Sequence, residues 1–238
     1  MKSSVVAAIA AACFAIATGS AQAVVITDCC DWASGWTFSS YTVGATSASA
    51  VVEGSGGNPG ARLNVTTVTA VPGDFAAGTA LLTTSAQAAP TAGTAFTLQL
   101  DVLSGAGAFG GGQAIALLVE QSGSVYFMNV GATGFPLNSF TTLTFNGNFN
   151  AGSFTLISGG GPSTPSFDGV TTTSFGFWAA NSQSGTLTQY YDNFQLTFTA
   201  APTAGPVTPV PTLSEWAMLA LALLLGGFAA RAIVRRNR

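Results

Sequence analysis

Phe96-Thr97-Leu98-Gln99-Leu100-Asp101-Val102 and Phe194-Gln195-Leu196-Thr197-Phe198-Thr199 decide the fold of this chain. In both, apolar and polar side chains alternate with period two, the pattern of a strand with one buried and one wet face. The same reading predicts strands over 35–40, 49–53, 61–69, 113–121, 125–130, 140–145, 153–157 and 172–180. Turn clusters separate them: Gly54-Ser55-Gly56-Gly57-Asn58-Pro59-Gly60, Ser122-Gly123, Asn146-Gly147 and Gly159-Gly160-Gly161-Pro162. No helical stripe runs between Val24 and Ala200, and the alanine-rich stretch 76–95 receives no assignment. Many short strands joined by glycine-rich turns predict an all-β, antiparallel β-sandwich, most simply a jelly roll.

The two ends read differently. Lys2, the apolar run 5–17 and Ala21-Gln22-Ala23 form a signal peptide over 1–23, so the exported chain should begin at Val24 after passage through the Sec translocon and cleavage by signal peptidase. Cys13 follows Ala10-Ala11-Ala12, a poor lipobox. At the other end, 201–209 is a proline-rich linker, and the 15 residues from Trp216 to Ala230 carry no charge. With Arg231 snorkelling, the apolar span reaches Val234 and 19 residues, about the 20 that a transmembrane helix needs. Arg231, Arg235, Arg236 and Arg238 all follow it, which places the tail in the cytoplasm and the body outside.

Val210-Pro211-Thr212-Leu213-Ser214-Glu215-Trp216, followed by the apolar helix and terminal arginines, resembles the IPTL-CTERM sorting signal, a relative of the PEP-CTERM signals read by exosortase-type transpeptidases of Gram-negative bacteria. Val210 stands where isoleucine is usual and Ala217 where glycine is usual. The resemblance spans 210–238 and implies a substrate of a sorting protease, cut near Val210 to Leu213. It implies a chain held at the inner membrane with its body in the periplasm, then delivered to the cell surface or extracellular space. More loosely, Gly35-Trp36, Gly57-Asn58-Pro59-Gly60 and Tyr190-Tyr191-Asp192-Asn193-Phe194-Gln195-Leu196 resemble galactose-binding-like jelly rolls. That likeness implies a sandwich whose last strand returns beside the first, and a sugar ligand by analogy only.

Between the signals, residues 24–209 carry eight acids (Asp28, Asp31, Glu53, Asp74, Asp101, Glu120, Asp168, Asp192) and one base, Arg62, for a net charge of −7. So acidic a body has almost nothing with which to neutralise phosphates, so nucleic acid is not an expected partner. The chain has no histidine, which removes serine–histidine and cysteine–histidine nucleophile systems and histidine metal sites. No carboxylate pair sits in a recognisable glycosidase motif, and the chain is not expected to be an enzyme. Asp192 and Asn193 are candidates for a structural calcium, with Asp28 or Asp31, although capping the last strand explains Asp192 as well. Cys29 and Cys30 admit a vicinal disulfide, an interchain pair, or two small side chains in a turn. Trp32, Trp36, Trp178, Tyr41, Tyr126, Tyr190 and Tyr191 raise the question of a sugar platform. Trp178 is out of phase with Phe175 and Phe177, so it is the candidate ligand-facing aromatic.

The many threonines point first to a non-enzymatic cell-surface or matrix protein with a flat polar face; the alternative is a carbohydrate-binding module with a concave aromatic face that recognises exopolysaccharide. Mass spectrometry of the protein from native cells is expected to find Val24 at the amino terminus and the segment after 210–213 removed. An intact 210–238 segment on the finished product contradicts the sorting assignment.

Overall fold

The computed structural model describes residues 22–28, 32, 34–105, 113–132 and 138–199. Twelve strands lie among them: β1 (Ala23–Asp28), β2 (Trp36–Val43), β3 (Thr46–Gly57), β4 (Gly60–Thr69), β5 (Phe75–Ala88), β6 (Ala95–Ser104), β7 (Gln113–Gln121), β8 (Ser124–Ala132), β9 (Thr141–Asn148), β10 (Thr155–Ser158), β11 (Thr172–Asn181) and β12 (Gly185–Thr199). All pairings between them are antiparallel. Sheet A runs β3-β4-β12-β6-β9, with β1 also on β12; sheet B runs β10-β8-β7-β11-β5-β2. The all-β, two-sheet antiparallel sandwich expected from the alternation is therefore the fold.

β12 is the spine of sheet A. Its first half pairs with β4, its second half with β1, and its other edge with β6 along most of its length. Between Asp192 and Gln195 the pairing with β6 shifts register, and Asn193 takes φ 50°. This bulge adds one residue and changes the phase of the strand. Leu187 and Tyr191 before it and Phe194, Leu196 and Phe198 after it thereby all reach the core.

Across the sandwich, β11 faces β12: Phe177 lies against Tyr191 (5.2 Å between ring centroids) and Phe194 (5.9 Å), and Phe175 against Phe198 (5.3 Å). Phe96, Leu98, Leu100 and Val102 of β6 and Ile115, Leu117 and Val119 of β7 extend the same core. Trp32 and Trp36 close one side, 4.9 Å apart, with Trp36 edge-on to Phe194 at 5.3 Å.

Two strands go beyond those the alternation predicts: β1, and β5, which is built largely of alanine, threonine and glycine and occupies much of the alanine-rich stretch 76–95. β5 pairs with both β2 and β11, and its small side chains suit that central place: Gly78 sits against Val65 and Ala50 of sheet A, where a Cβ would lie 2.6 Å from Val65 Cγ1.

The membrane helix expected over 216–234, the sorting motif 210–216, the four tail arginines, the linker 201–209, Cys29, Cys30 and Asp31 lie outside the described residues. Among the described residues no helix is long and apolar enough to cross a membrane. Phe177→Ala should cost about 3–5 kcal/mol, because it removes a ring that touches Trp32, Trp36, Tyr191 and Phe194 at once. Chemical denaturation of the two proteins measures this, and a loss below about 1 kcal/mol would contradict the central position given to the ring.

Candidate functional site

The outer face of sheet B carries a column of small residues. Gly176 and Ala180 on β11, Ala77 on β5, and Ala114 and Ala116 on β7 leave a trough, and Trp178 lies in it with Thr79 and Ala116 as its cross-strand neighbours. Strand alternation puts Trp178 opposite Phe175 and Phe177, as the sequence implied, but the expected exposed indole needs correction. Only 2% of Trp178 is accessible, because Phe127 of β8 stacks on it at 4.1 Å, Phe75 of β5 lies at 5.1 Å and Tyr41 of β2 at 6.0 Å. Trp178 is the base of a four-ring cluster; the ring surface open to solvent belongs to the half-buried Tyr41, Phe75 and Phe127.

These rings line a concavity of about 380 Å³ together with Val43, Ala114, Asn129 and the β10 residues Thr155, Leu156 and Ile157. No lining residue is charged. Asn129 is exposed at the rim, and the Trp178 indole N–H is buried without a hydrogen-bond partner among the described residues. Ser39 and Thr79 hydroxyls bond each other at 2.5 Å beside the indole. The arrangement offers apolar ring faces bordered by a few neutral hydrogen-bonding groups, the chemistry of a small-molecule or sugar site.

Of the four rings, the sequence points to Trp178 and Tyr41 as aromatics of a possible sugar platform and gives no such pointer to Phe75 and Phe127. Tyr41 stands one residue beyond the strand predicted over 35–40, and Phe75 borders the unassigned stretch. Phe127 lay within a predicted strand, and its alternation with Tyr126 and Met128 was the available signal.

The acids, by contrast, brace turns. Glu53 accepts from Arg62 at 2.5 Å and Asn64 at 2.6 Å, and these two bonds hold its carboxyl below the usual range. The Arg62 guanidinium also lies 3.5 Å over the Tyr190 ring. Asp74 accepts from the Ala45 amide, and Glu120 from the Gly123 amide. Asp168 accepts from the Thr171 hydroxyl and amide, the Val170 amide and the Ser166 hydroxyl, which drives its carboxyl far below the usual range. Among the described residues, no carboxylate enters the groove.

Asp101 and Asp192 are register partners on β6 and β12, and both are buried beneath the Gly54–Gly60 turn. Asp192 accepts from the amides of Asn58 and Asn193; Asp101 accepts from the Asn58 side chain (3.1 Å), the Asn193 side chain (2.7 Å) and the Thr142 hydroxyl (2.5 Å). Gly57 must be glycine for the turn to close so near: a Cβ there would sit 2.6 Å from Asp192 Oδ2 and collide with the Ala61 carbonyl. The two carboxylates and the Asn58 carbonyl are hard oxygen donors, which fit calcium and no softer metal, whereas the Asn58 and Asn193 side chains turn their N–H groups to Asp101. The cluster holds only two acids, and no group of three or more metal-ligating side chains occurs among the described residues. Asp28 ends β1 opposite Phe194, next to Asn193 in the chain.

Comparison with known families decides the nature of the chain's end. The chain carries an IPTL-CTERM motif at residues 208–238. A chain with this motif is an exported protein. No curated protein matches the chain. Among solved structures, the sandwich is similar to the family 11 carbohydrate-binding module of the cellulosomal cellulase Lic26A-Cel5E of Clostridium thermocellum, at 17% identity over 73% of this chain and 95% of that one, TM-score 0.42. It is also similar to the CBM22-1 xylan-binding domain of Paenibacillus barcinonensis Xyn10C, at 14% identity over 74% of this chain and 94% of that one, TM-score 0.41.

Proposed function

We propose that the exported body is a non-enzymatic carbohydrate-binding module that recognises a neutral exopolysaccharide through the groove of sheet B. The observation that carries this reading is the ring cluster of Tyr41, Phe75, Phe127 and Trp178 in a concavity without charge, on a body whose net charge is −7. Ring faces suit the C–H faces of sugars, and the exposed Asn129 and Thr155 supply the few polar contacts that set orientation. An acidic polysaccharide would meet repulsion from the body and no cation in the groove.

In this reading the sorting signal supplies the address. An exosortase-type protease cuts the chain near 210–213, after the tail has held it at the inner membrane with the body in the periplasm. The product is displayed at the cell surface or in the extracellular matrix, where the polysaccharide is. A second element of the proposal concerns stability. The cluster of Asp101, Asp192, Asn58 and Asn193 holds a structural calcium that pins the Gly54–Gly60 turn to β12; it takes no part in sugar recognition.

The full chain in detergent is expected to be retained by soluble mixed-linkage β-glucan or xylan in affinity electrophoresis. Phe127→Ala should weaken that retention about tenfold or more, equivalent to about 1.4 kcal/mol. Retention on neither neutral polymer, or undiminished retention in the variant, contradicts the groove assignment. For the calcium, EDTA should lower the melting temperature by about 5–10 °C, the shift expected when a site about 100-fold saturated is emptied. Added calcium should restore it. An unchanged melting curve assigns the cluster to hydrogen bonds alone.

A further inference from the structure

The opposite face of the sandwich holds a second concavity. Near the end of β12, the outer side of sheet A forms an open depression of about 480 Å³. Thr97 of β6, Asn146 and Asn148 of β9, and Thr197 and Thr199 of β12 line it together with Ala95 and with Ala23, the residue just before the expected start of the exported chain. The pairing register explains its regularity. Thr197, Thr97 and Asn146 form one cross-strand row; Gln195, Gln99 and Thr144 form the next. Neighbours in a row stand about 4.8 Å apart and rows about 6.6–6.8 Å apart, a grid on the scale of one sugar ring.

The grid is preorganised. Thr97 Oγ1 donates to Asn146 Oδ1 at 2.9 Å, and Gln99 Nε2 donates to Thr144 Oγ1 at 3.3 Å. These bonds fix the side chains and leave the Asn146 amide hydrogens and the hydroxyl lone pairs for an incoming group. No charged residue lines the depression, so on a body of net charge −7 an ionic ligand has nothing there to pair with. Val25 of β1, the register partner of Thr197, extends the row and is 53% exposed, an aliphatic side chain smaller than the anchors that centre a protein interface. Alternating hydroxyls and amides, each able to donate and accept, match a polyhydroxylated neutral chain lying flat across the strands.

We propose that this hydroxyl and amide grid is a second polysaccharide site, distinct from the aromatic groove, so that one body grips two neutral chains on its opposite sheets and cross-bridges them. The proposal goes beyond the groove assignment: the groove explains attachment to a matrix, whereas two sites on opposed faces make the protein a cross-link within it.

Calorimetric titration of the full chain in detergent with neutral hexasaccharides from mixed-linkage β-glucan and from xylan tests this. The expected stoichiometry is two per chain, falling to one in the Thr97→Val, Thr197→Val, Asn146→Leu variant and to one in Phe127→Ala. One site that only Phe127→Ala removes overturns this inference and leaves the groove standing. One site that only the triple variant removes does the reverse, and no binding overturns both. Hydroxyl-radical footprinting of the wild-type chain needs no variant: saccharide should protect peptides containing Thr97, Asn146 and Thr197, and unchanged labelling of them overturns the second site.

Discussion

The phase change at Asn193 is the constraint on which sheet A depends. A regular strand through 185–199 would send either Leu187 and Tyr191 or Phe194, Leu196 and Phe198 to solvent, because alternate residues face opposite ways. One extra residue removes the conflict. It also puts Asp192 on the outer side at the point where Asp101 arrives from β6, and two carboxylates side by side demand donors. The Gly54–Gly60 turn supplies them through the Asn58 amide and side chain. The bulge, the buried acids and the glycine at 57 are thus parts of one solution, and it ties the β3–β4 hairpin to the middle of the sheet.

The sandwich keeps one core but has two unlike exteriors. On sheet B, glycine and alanine on β5, β7 and β11 make room for an indole to lie down, so β11 is buried on both faces. On sheet A, the outward positions of β6 and β9 near the end of β12 hold threonine, asparagine and glutamine, which bond one another across strands around a shallow depression. A strand sequence does not by itself distinguish these outcomes. The decisive quantity is the size of the residues beside a large ring, and those residues come from strands far apart in the chain.

The same dependence on distant neighbours decides which elements are legible in the sequence. β6 and the second half of β12 alternate large apolar with polar side chains, so their existence and facing could be read directly. β5 could not, because alanine, threonine and glycine carry too little hydrophobic contrast to reveal a period, although this strand holds β2 to the rest of sheet B. The phase of Trp178 was legible. Its burial was not, since exposure depends on Tyr41, Phe75 and Phe127, contributed by three other strands. The sorting signal was the most legible part, because its information is local: a short motif, an apolar run and terminal arginines in fixed order.

Charge is distributed by the same division of labour. From Gln121 to Phe167 the chain has no charged residue, and this stretch supplies β8, β9 and β10, hence Phe127 and Asn129 of the groove and Asn146 and Asn148 of the polar grid. The acids stand elsewhere, at turns, on β3 and beside the bulge of β12, where amides, hydroxyls and Arg62 satisfy them. Net negative charge keeps such a body apart from its copies while the lining of its two concavities stays neutral. A ligand that approaches either face therefore meets hydrogen-bonding groups and ring surfaces rather than a local field. Selectivity at both must come from shape and hydroxyl geometry, which is the kind of discrimination a neutral polysaccharide permits.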